Sequence, residues 1–205
     1  MNENYIITIG RQLGSGGRQI GNILSEKLGI PCYDKELLTI ASQESGVGKE
    51  FFEQADEKST FNLMSGLFGF RAGYIGPNTG NYLGNEALFK IQSDVIRLLA
   101  EKESCIFVGR CADYILRDQS RCINFFISAD AKDRIQRIVE NEKITGKEAQ
   151  NLMEQIDKKR AGYYNYYSNK VWGMAISYHL CINSSVLGLE DTSSFMIEYI
   201  KKKLL

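Results

Sequence analysis

Five short apolar runs, hydrophobic at consecutive rather than alternate positions, most constrain what this 205-residue chain can fold into. They are residues 5–9 (YIITI), 31–33 (PCY), 104–109 (SCIFVG), 121–129 (RCINFFISA) and 178–185 (YHLCINSS). A strand that is apolar on both faces needs both faces covered, which a parallel sheet between two layers of helices provides. Helical periodicity fills the intervals. Residues 17–28 repeat apolar side chains at Ile20, Ile23, Leu24 and Leu28, and Gly29 and Pro31 then close the helix. Further helices are predicted over 33–43 with Asp34 as cap, 48–58, 111–118, 131–142, about 145–167 and 191–204. Over 85–103 the spacing predicts an amphipathic helix with Leu88, Ile91, Val95, Leu98 and Leu99 facing inward. The chain has no internal repeat and reads as one domain over 1–205.

Residues 59–85 break this alternation, being studded with glycine and asparagine. A stretch of that kind inside a compact domain is either a functional flap or a disordered loop.

Charge excludes some partners. Lys plus Arg and Asp plus Glu both number 25, so no bulk field favours nucleic acid or membrane surfaces. No apolar run approaches the roughly 20 residues of a membrane span, and the amino terminus lacks the basic and apolar regions of a signal peptide. Cysteines number 5, and Cys32, Cys105, Cys122 and Cys181 fall in or beside strand-like runs without metal spacing. They read as small buried hydrophobes in a reducing compartment, and the cytoplasm is the expected location. His179 is the only histidine and lies in a strand-like run, where it is expected to be structural. Ser-His-Asp hydrolysis and His-based metal sites are thereby removed. Phosphoryl transfer needs no such base.

In a parallel sheet, ligands bind beyond the carboxyl ends of the strands. The loop after Ile9 carries Gly14, Ser15, Gly16 and Gly17, between a strand and a helix. Glycines let backbone N–H groups converge on phosphate oxygens, and the helix N-terminus adds partial positive charge. The usual pattern G-x-x-x-x-G-K-[ST] is not met. One register puts Gly17 at the lysine and Arg18 at the hydroxyl position; the other puts Arg18 at the lysine and Gln19 at the hydroxyl. Arg18 can still neutralise phosphate charge, with a planar fork in place of a point charge. A Mg²⁺-holding hydroxyl would be Ser15, or a water shell would replace it. Read only as chain, the segment is also a tight strand-to-helix turn. The dinucleotide pattern fails, since Gln19 stands where its third glycine belongs.

At the second strand end, FVGRCADYIL, Gly109 admits a close approach and Arg110 would point from the sheet edge. Arginine grips phosphate with two parallel hydrogen bonds. Asp113 would accept from a base, a sugar or Arg110, and an internal Arg110–Asp113 pair remains the plain alternative. Arg134 and Arg137 share a helix face. With Lys158, Lys159 and Arg160 they form either a solvated charged face or a lid. Tyr163, Tyr164, Tyr166 and Tyr167 read as packing at a helix end, with base stacking as the alternative.

The order ITIGRQLGSGGRQIG, LSEKLGIPCYDKELL, FVGRCADYIL, INFFISADAKDRIQRI, IDKKRAGYYNYY and VWGMAISYHLCINSS resembles the cytidylate kinase-like family, a branch of the P-loop nucleoside monophosphate kinases. The likeness covers nearly the whole chain and is weakest over 59–85. It implies a three-layer α/β P-loop kinase fold, a central parallel sheet flanked by helices. The flap would lie within an acceptor-binding insertion, and a lid-like region would span about 134–170. It implies ATP with Mg²⁺, bound to a loop of Gly14, Ser15, Gly16, Gly17 and Arg18, with Arg134 helping to hold the donor. Arg110 would grip the acceptor monophosphate, with Asp34 and Asp113 near the acceptor, and Arg160 would reach the transferring phosphoryl.

Several positions depart from the family pattern. The P-loop lysine and serine are absent, Cys111 replaces the aspartate of Gly-Arg-Asp, Met153-Glu154 replaces an Arg-Asp pair, and Asn183 replaces an aspartate. Two functions follow from this: a phosphotransferase that uses Arg18 in place of lysine, with Arg110 and Arg160, or a nucleotide-binding module without catalysis. A loop that binds only free anions is a third.

Overall fold

The structure is a computed structural model that describes residues 4–34 and 82–204, with the side chains of 82–85 and 88 excepted. The helix expected over 33–43 from residue 35 onward, that expected over 48–58, the side chain of Leu88, and residues 59–81 of the flap lie outside the described residues. Residues 82–85 begin a helix and do not belong to a loop.

Among the described residues, the sheet contains β1 (Ile6–Arg11), β2 (Cys32–Tyr33), β3 (Cys105–Val108), β4 (Cys122–Ser128) and β5 (Leu180–Asn183). Its order is β2-β3-β1-β4-β5, and every pairing is parallel. β1 is central: Ile7 aligns with Ile106 on one side and Ile123 on the other. The consecutive apolar pattern is explained by burial on both faces. Ile7 and Ile9 pack with Ile20 and Leu24 of α1 (Gly17–Leu28) and with Met196 and Ile200 of the closing helix. Ile6 and Phe107 face Val95, Ile96 and Leu99 of α2 (Tyr82–Lys102) and Ile115 of α3 (Ala112–Ile115) on the opposite side.

α2 is rotated from its expected setting. Val95 and Leu99 are buried as anticipated, but Leu98 is 45% exposed while Ile96 is fully buried. The buried stripe runs through Gln92, Val95, Ile96, Leu99 and Ala100, which is the i, i+3, i+4, i+7, i+8 seam of a helix lying on a sheet.

α4 (Ala131–Glu142) and α5 (Gly146–Ser168) pair around their own small core of Ile138, Ala149 and Met153. A capping box between Thr145 and Glu148 starts α5. α6 (Ser184–Leu204) begins earlier than the expected residue 191, with a break at Gly188 (φ 75, ψ 178). Its first turn reaches under the glycine loop, where the Ser184 hydroxyl donates to the Ser15 carbonyl at 2.7 Å.

His179 is structural, as expected. Its Nδ1 accepts the Asn124 N–H at 2.9 Å, and its own N–H donates to the Asn124 carbonyl at 2.8 Å. Burial, then nearby Lys203, lower its pKa below the ordinary 6.5. The folded state therefore disfavours the imidazolium. Its contribution to stability is present above pH 6.5 and is lost as pH falls from there through the folded pKa. An NMR titration of this sole imidazole is expected to show a midpoint below 6.5; a midpoint at or above it would contradict the assignment.

No helix among the described residues is long and apolar enough to cross a membrane.

Candidate functional site

β1 runs directly into the glycine loop, Gln12–Gly16, and α1 leaves it. Gly14 (φ 74) and Gly16 (φ 78) take left-handed conformations that cost other residues about 1 kcal/mol or more. A Cβ on Gly14 would also lie 2.6 Å from the Arg134 carbonyl oxygen. Gly16 gives α1 no capping side chain, and its first turn holds no acid. The N–H groups of that turn have no intrahelical acceptor, which makes an anion their natural cap.

The outer side of the loop is gripped by the α4–α5 pair. Arg160 Nη1 donates to the Arg11 carbonyl at 3.1 Å, Arg134 Nε to the Leu13 carbonyl at 2.7 Å, and Arg137 Nη1 to the Gly14 carbonyl at 3.0 Å. Asp157 ties these together. It accepts the Leu13 N–H at 2.8 Å, ion-pairs with Arg134, and lies 3.9 Å from Arg160.

Arg134 is thus buried against the loop backbone. Ser15 is fully buried and its hydroxyl donates to the Gln12 carbonyl at 2.9 Å. Of the two ways of holding Mg²⁺ that the sequence left open, the Ser15 hydroxyl faces away from the cleft. Nor do three or more His, Cys, Asp or Glu side chains come together among the described residues. These residues do not form a protein cage for Mg²⁺, and an ion arriving with ATP would rest on phosphate oxygens and water.

Arg18 reaches the opposite wall, where it ion-pairs with Asp34 at 2.7 Å; its side chain is 62% exposed and that of Asp34 13%. Asp34 stands just beyond β2, so this pair links the start of α1 to the neighbouring strand end.

After β3 the chain makes a left-handed turn through Gly109 (φ 81), Arg110 (φ 60) and Cys111 (φ 56). Two non-glycine residues in this region store of order 1–2 kcal/mol each, a cost that clusters at functional sites. The close approach expected at Gly109 is real, but an arginine makes it. A Cβ there would lie 1.9 Å from Arg11 Nη1 and 2.8 Å from Arg11 Cζ, so the Arg11 guanidinium rests on the glycine. Gly109→Ala is accordingly expected to dislodge Arg11 and lower any turnover at least tenfold, beside a strain cost of about 1 kcal/mol. Unchanged kinetics of that variant would contradict this packing.

Arg11, Arg110 and Arg160 therefore converge at the carboxyl edge of the central strands. Burial, then Arg160 and Arg110, hold the Arg11 pKa well below its ordinary value. Burial is also the main cause that lowers Arg160 to about 10, with Arg134 and Arg110 adding to it. Arg110 is lowered by burial and partly restored by a hydrogen bond to the Tyr163 phenol. Like charges held together in a partly dry cleft favour an anionic occupant.

The far wall of the cleft is aromatic. Phe89 stacks on Tyr167 at 3.9 Å between centroids, Tyr163 meets both, and Tyr166, Trp172 and Tyr178 continue the lining. Tyr163 donates to Gln92 Oε1 at 3.2 Å. Asp113 is buried and accepts the Tyr164 hydroxyl at 2.6 Å. Burial raises the carboxyl pKa and this hydrogen bond opposes the rise. The whole cleft, about 1160 Å³, also includes Gly14, Gly16, Gly17, Arg18, Asp34 and Arg160 in its lining. That volume is at or above the usual ~300–1,000 Å³ of ligand pockets.

Sequence reasoning missed two residues here. Arg11 is the last residue of β1, just before the loop, and its signal was a basic residue at the carboxyl edge of the central strand. Asp157 was legible only as a carboxylate three residues before Arg160, hence on the same helix face.

The model of the cytidylate kinase-like family matches residues 6–186. A crystal structure of an uncharacterized protein from Eubacterium ventriosum is similar at 30% identity and a TM-score of 0.72, over 97% of this chain and 99% of that one. Shikimate kinase from Bacteroides thetaiotaomicron shares the fold at 12% identity and a TM-score of 0.53, over 96% of this chain and 98% of that one. Shikimate kinase from Acinetobacter baumannii, in complex with shikimate, does so at 13% and 0.54, over 100% and 97%. No curated protein matches the chain.

Proposed function

The chain belongs to the cytidylate kinase-like family, and on that premise we propose that it is a phosphotransferase of the P-loop kinase kind. It moves the γ-phosphoryl of ATP to a nucleoside monophosphate of the CMP or dCMP type, or to a related small acceptor. One observation carries this: a glycine loop at a helix N-terminus and the arginines Arg11, Arg110 and Arg160 open onto one cleft. The triphosphate lies on the loop and the first turn of α1. Arg110, set by its left-handed turn, grips the acceptor phosphate with a bidentate fork.

In transfer, the bond from the γ-phosphorus to ADP breaks and a bond to an acceptor phosphate oxygen forms. A dianionic acceptor has no proton to lose, so positioning and charge neutralisation suffice. Arg160 faces the moving group, and Arg134 serves the donor by fixing Leu13. Asp34 and Asp113 border the acceptor beside the aromatic wall. The five cysteines, none in a disulfide, suit a cytoplasmic enzyme. Its partners are a nucleotide and a small acceptor, with no role for nucleic acid or membrane.

ADP release from ATP across a panel of monophosphates tests the proposal. Acceptor-dependent release is expected; no release with any acceptor, by protein that binds ATP, would sink it.

The rival is a nucleotide-binding module used for sensing or protein interaction. It is favoured by the Arg18–Asp34 pair and the inward Ser15 hydroxyl, which fill the positions of charge and hydroxyl differently. Titration calorimetry with and without Mg²⁺ separates the two. Magnesium-independent binding without turnover would favour the module.

A further inference from the structure

The arginines of the cleft differ in what their side chains hold. Arg134 and Arg160 donate to loop carbonyls and neighbour Asp157, Arg137 donates to Gly14, and Arg18 pairs with Asp34. Arg11 is the exception among the described residues. Its guanidinium forms no ion pair and donates no hydrogen bond to protein, while its stem is fixed against Gly17 and its head against Gly109. It nevertheless lines the cleft. A guanidinium carries five N–H donors in a planar fork, and those of Arg11 are left to whatever occupies the cleft.

Its position is as telling as its lack of partners. The backbone of Arg11 opens the glycine loop, and its head lies across the strand-end turn that presents Arg110. It therefore spans the junction between the loop for a donor and the arginine for an acceptor. The nearest like charges, Arg160 and Arg110, oppose its protonated form, as burial also does, and an anion would relieve all three.

We propose that Arg11 is the catalytic cation of this cleft: it contacts the transferred phosphoryl group and takes the part that the missing P-loop lysine would play, leaving Arg18 to brace Asp34. As the bond between γ-phosphorus and ADP breaks, negative charge grows on the leaving oxygen of ADP while the new bond to the acceptor oxygen forms. Arg11 faces both oxygens and gives up no proton. This assignment rests on the phosphotransferase function proposed above.

The test compares Arg11→Gln, Arg11→Lys and Arg18→Ala in the full chain, by ADP release and by calorimetric titration with inorganic tripolyphosphate. Arg11→Gln is expected to lower kcat by about 10²–10³, the usual cost of losing one donor at a developing charge. Arg11→Lys is expected to recover part of that loss, and Arg18→Ala to lose clearly less than Arg11→Gln, since the Arg18 side chain is 62% exposed and held by Asp34. Tripolyphosphate affinity is expected to fall at least tenfold in Arg11→Gln alone. An Arg11→Gln protein with parental kcat and affinity overturns the proposal, as does an Arg18→Ala protein that loses as much. If the parent chain turns over no acceptor, the function above fails. The titration then decides this assignment alone: unchanged tripolyphosphate affinity in Arg11→Gln overturns it.

Discussion

Asp157→Asn is expected to lower the melting temperature by about 6–12 °C and to weaken nucleotide binding together with it. The carboxylate of Asp157 accepts the Leu13 N–H, pairs with Arg134 and neighbours Arg160. The Arg134 side chain is only 8% exposed, so neutralising Asp157 leaves a buried guanidinium without its counter-charge. Breaking one side of such a pair costs about 3–5 kcal/mol, and each kcal/mol is worth roughly 2–4 °C in a chain of this size. The amide keeps one oxygen for Leu13, which places the expected loss at the lower end of that range. Leu13 and Arg134 anchor the loop's outer face, so their loosening reaches the cleft side without touching it. Scanning calorimetry of the two proteins checks this. A shift under 2 °C would mean that solvent replaces the bridge.

Arg110→Gly is expected to separate activity from stability. Removing the fork that the proposal assigns to the acceptor should lower kcat/KM by about 10²–10³. The same change relieves a left-handed residue at φ 60, worth about 1–2 kcal/mol. It also removes a desolvated charge that opposes Arg11 and Arg160. The variant should therefore melt about 2–4 °C higher for each kcal/mol gained, despite its lost function. Kinetics and melting on one preparation read both effects. A variant that is both less stable and fully active would reverse the assignment, making Arg110 structural.

Much of this architecture was legible from local pattern, because the helices and strands that form it are periodic over their own length. The spacing of Ile20 and Leu24 located α1 to the residue, and the residues of α4 likewise. The resemblance to the family and the five-stranded parallel sheet stand as expected. What failed depends on contacts distant in sequence. β1 was expected to end at Ile9 but continues to Arg11 because Gly10 and Arg11 pair with Phe126 and Ile127 of β4. That extension carries Arg11 onto Gly109, a neighbour that no local window contains. Leu98 was assigned to the core because it is apolar, and only the angle at which α2 meets the sheet turns it outward. The first turn of α6 is polar and broken at Gly188, so periodicity had nothing to detect, yet Ser184 holds Ser15 there.

The loop residues were legible in the sequence, but the partners of their side chains were not. Glycine content marked a strand-to-helix turn, and the left-handed conformations of Gly14 and Gly16 bear that out. The partners of Ser15, Arg18 and Arg134 depend on where β2, α4 and α5 fall around the loop. Motif spacing is silent on that.

Phosphorus NMR of one reaction separates phosphoryl transfer from nucleotide binding alone. The protein, ATP, Mg²⁺ and CMP are mixed, and the terminal phosphates are followed over time. ADP and a new diphosphate of the acceptor are expected to appear in equal amounts as ATP declines, with inorganic phosphate well below either. ATP that is bound but unchanged, with CMP or any other monophosphate present, would contradict it, as would ATP lost only to inorganic phosphate.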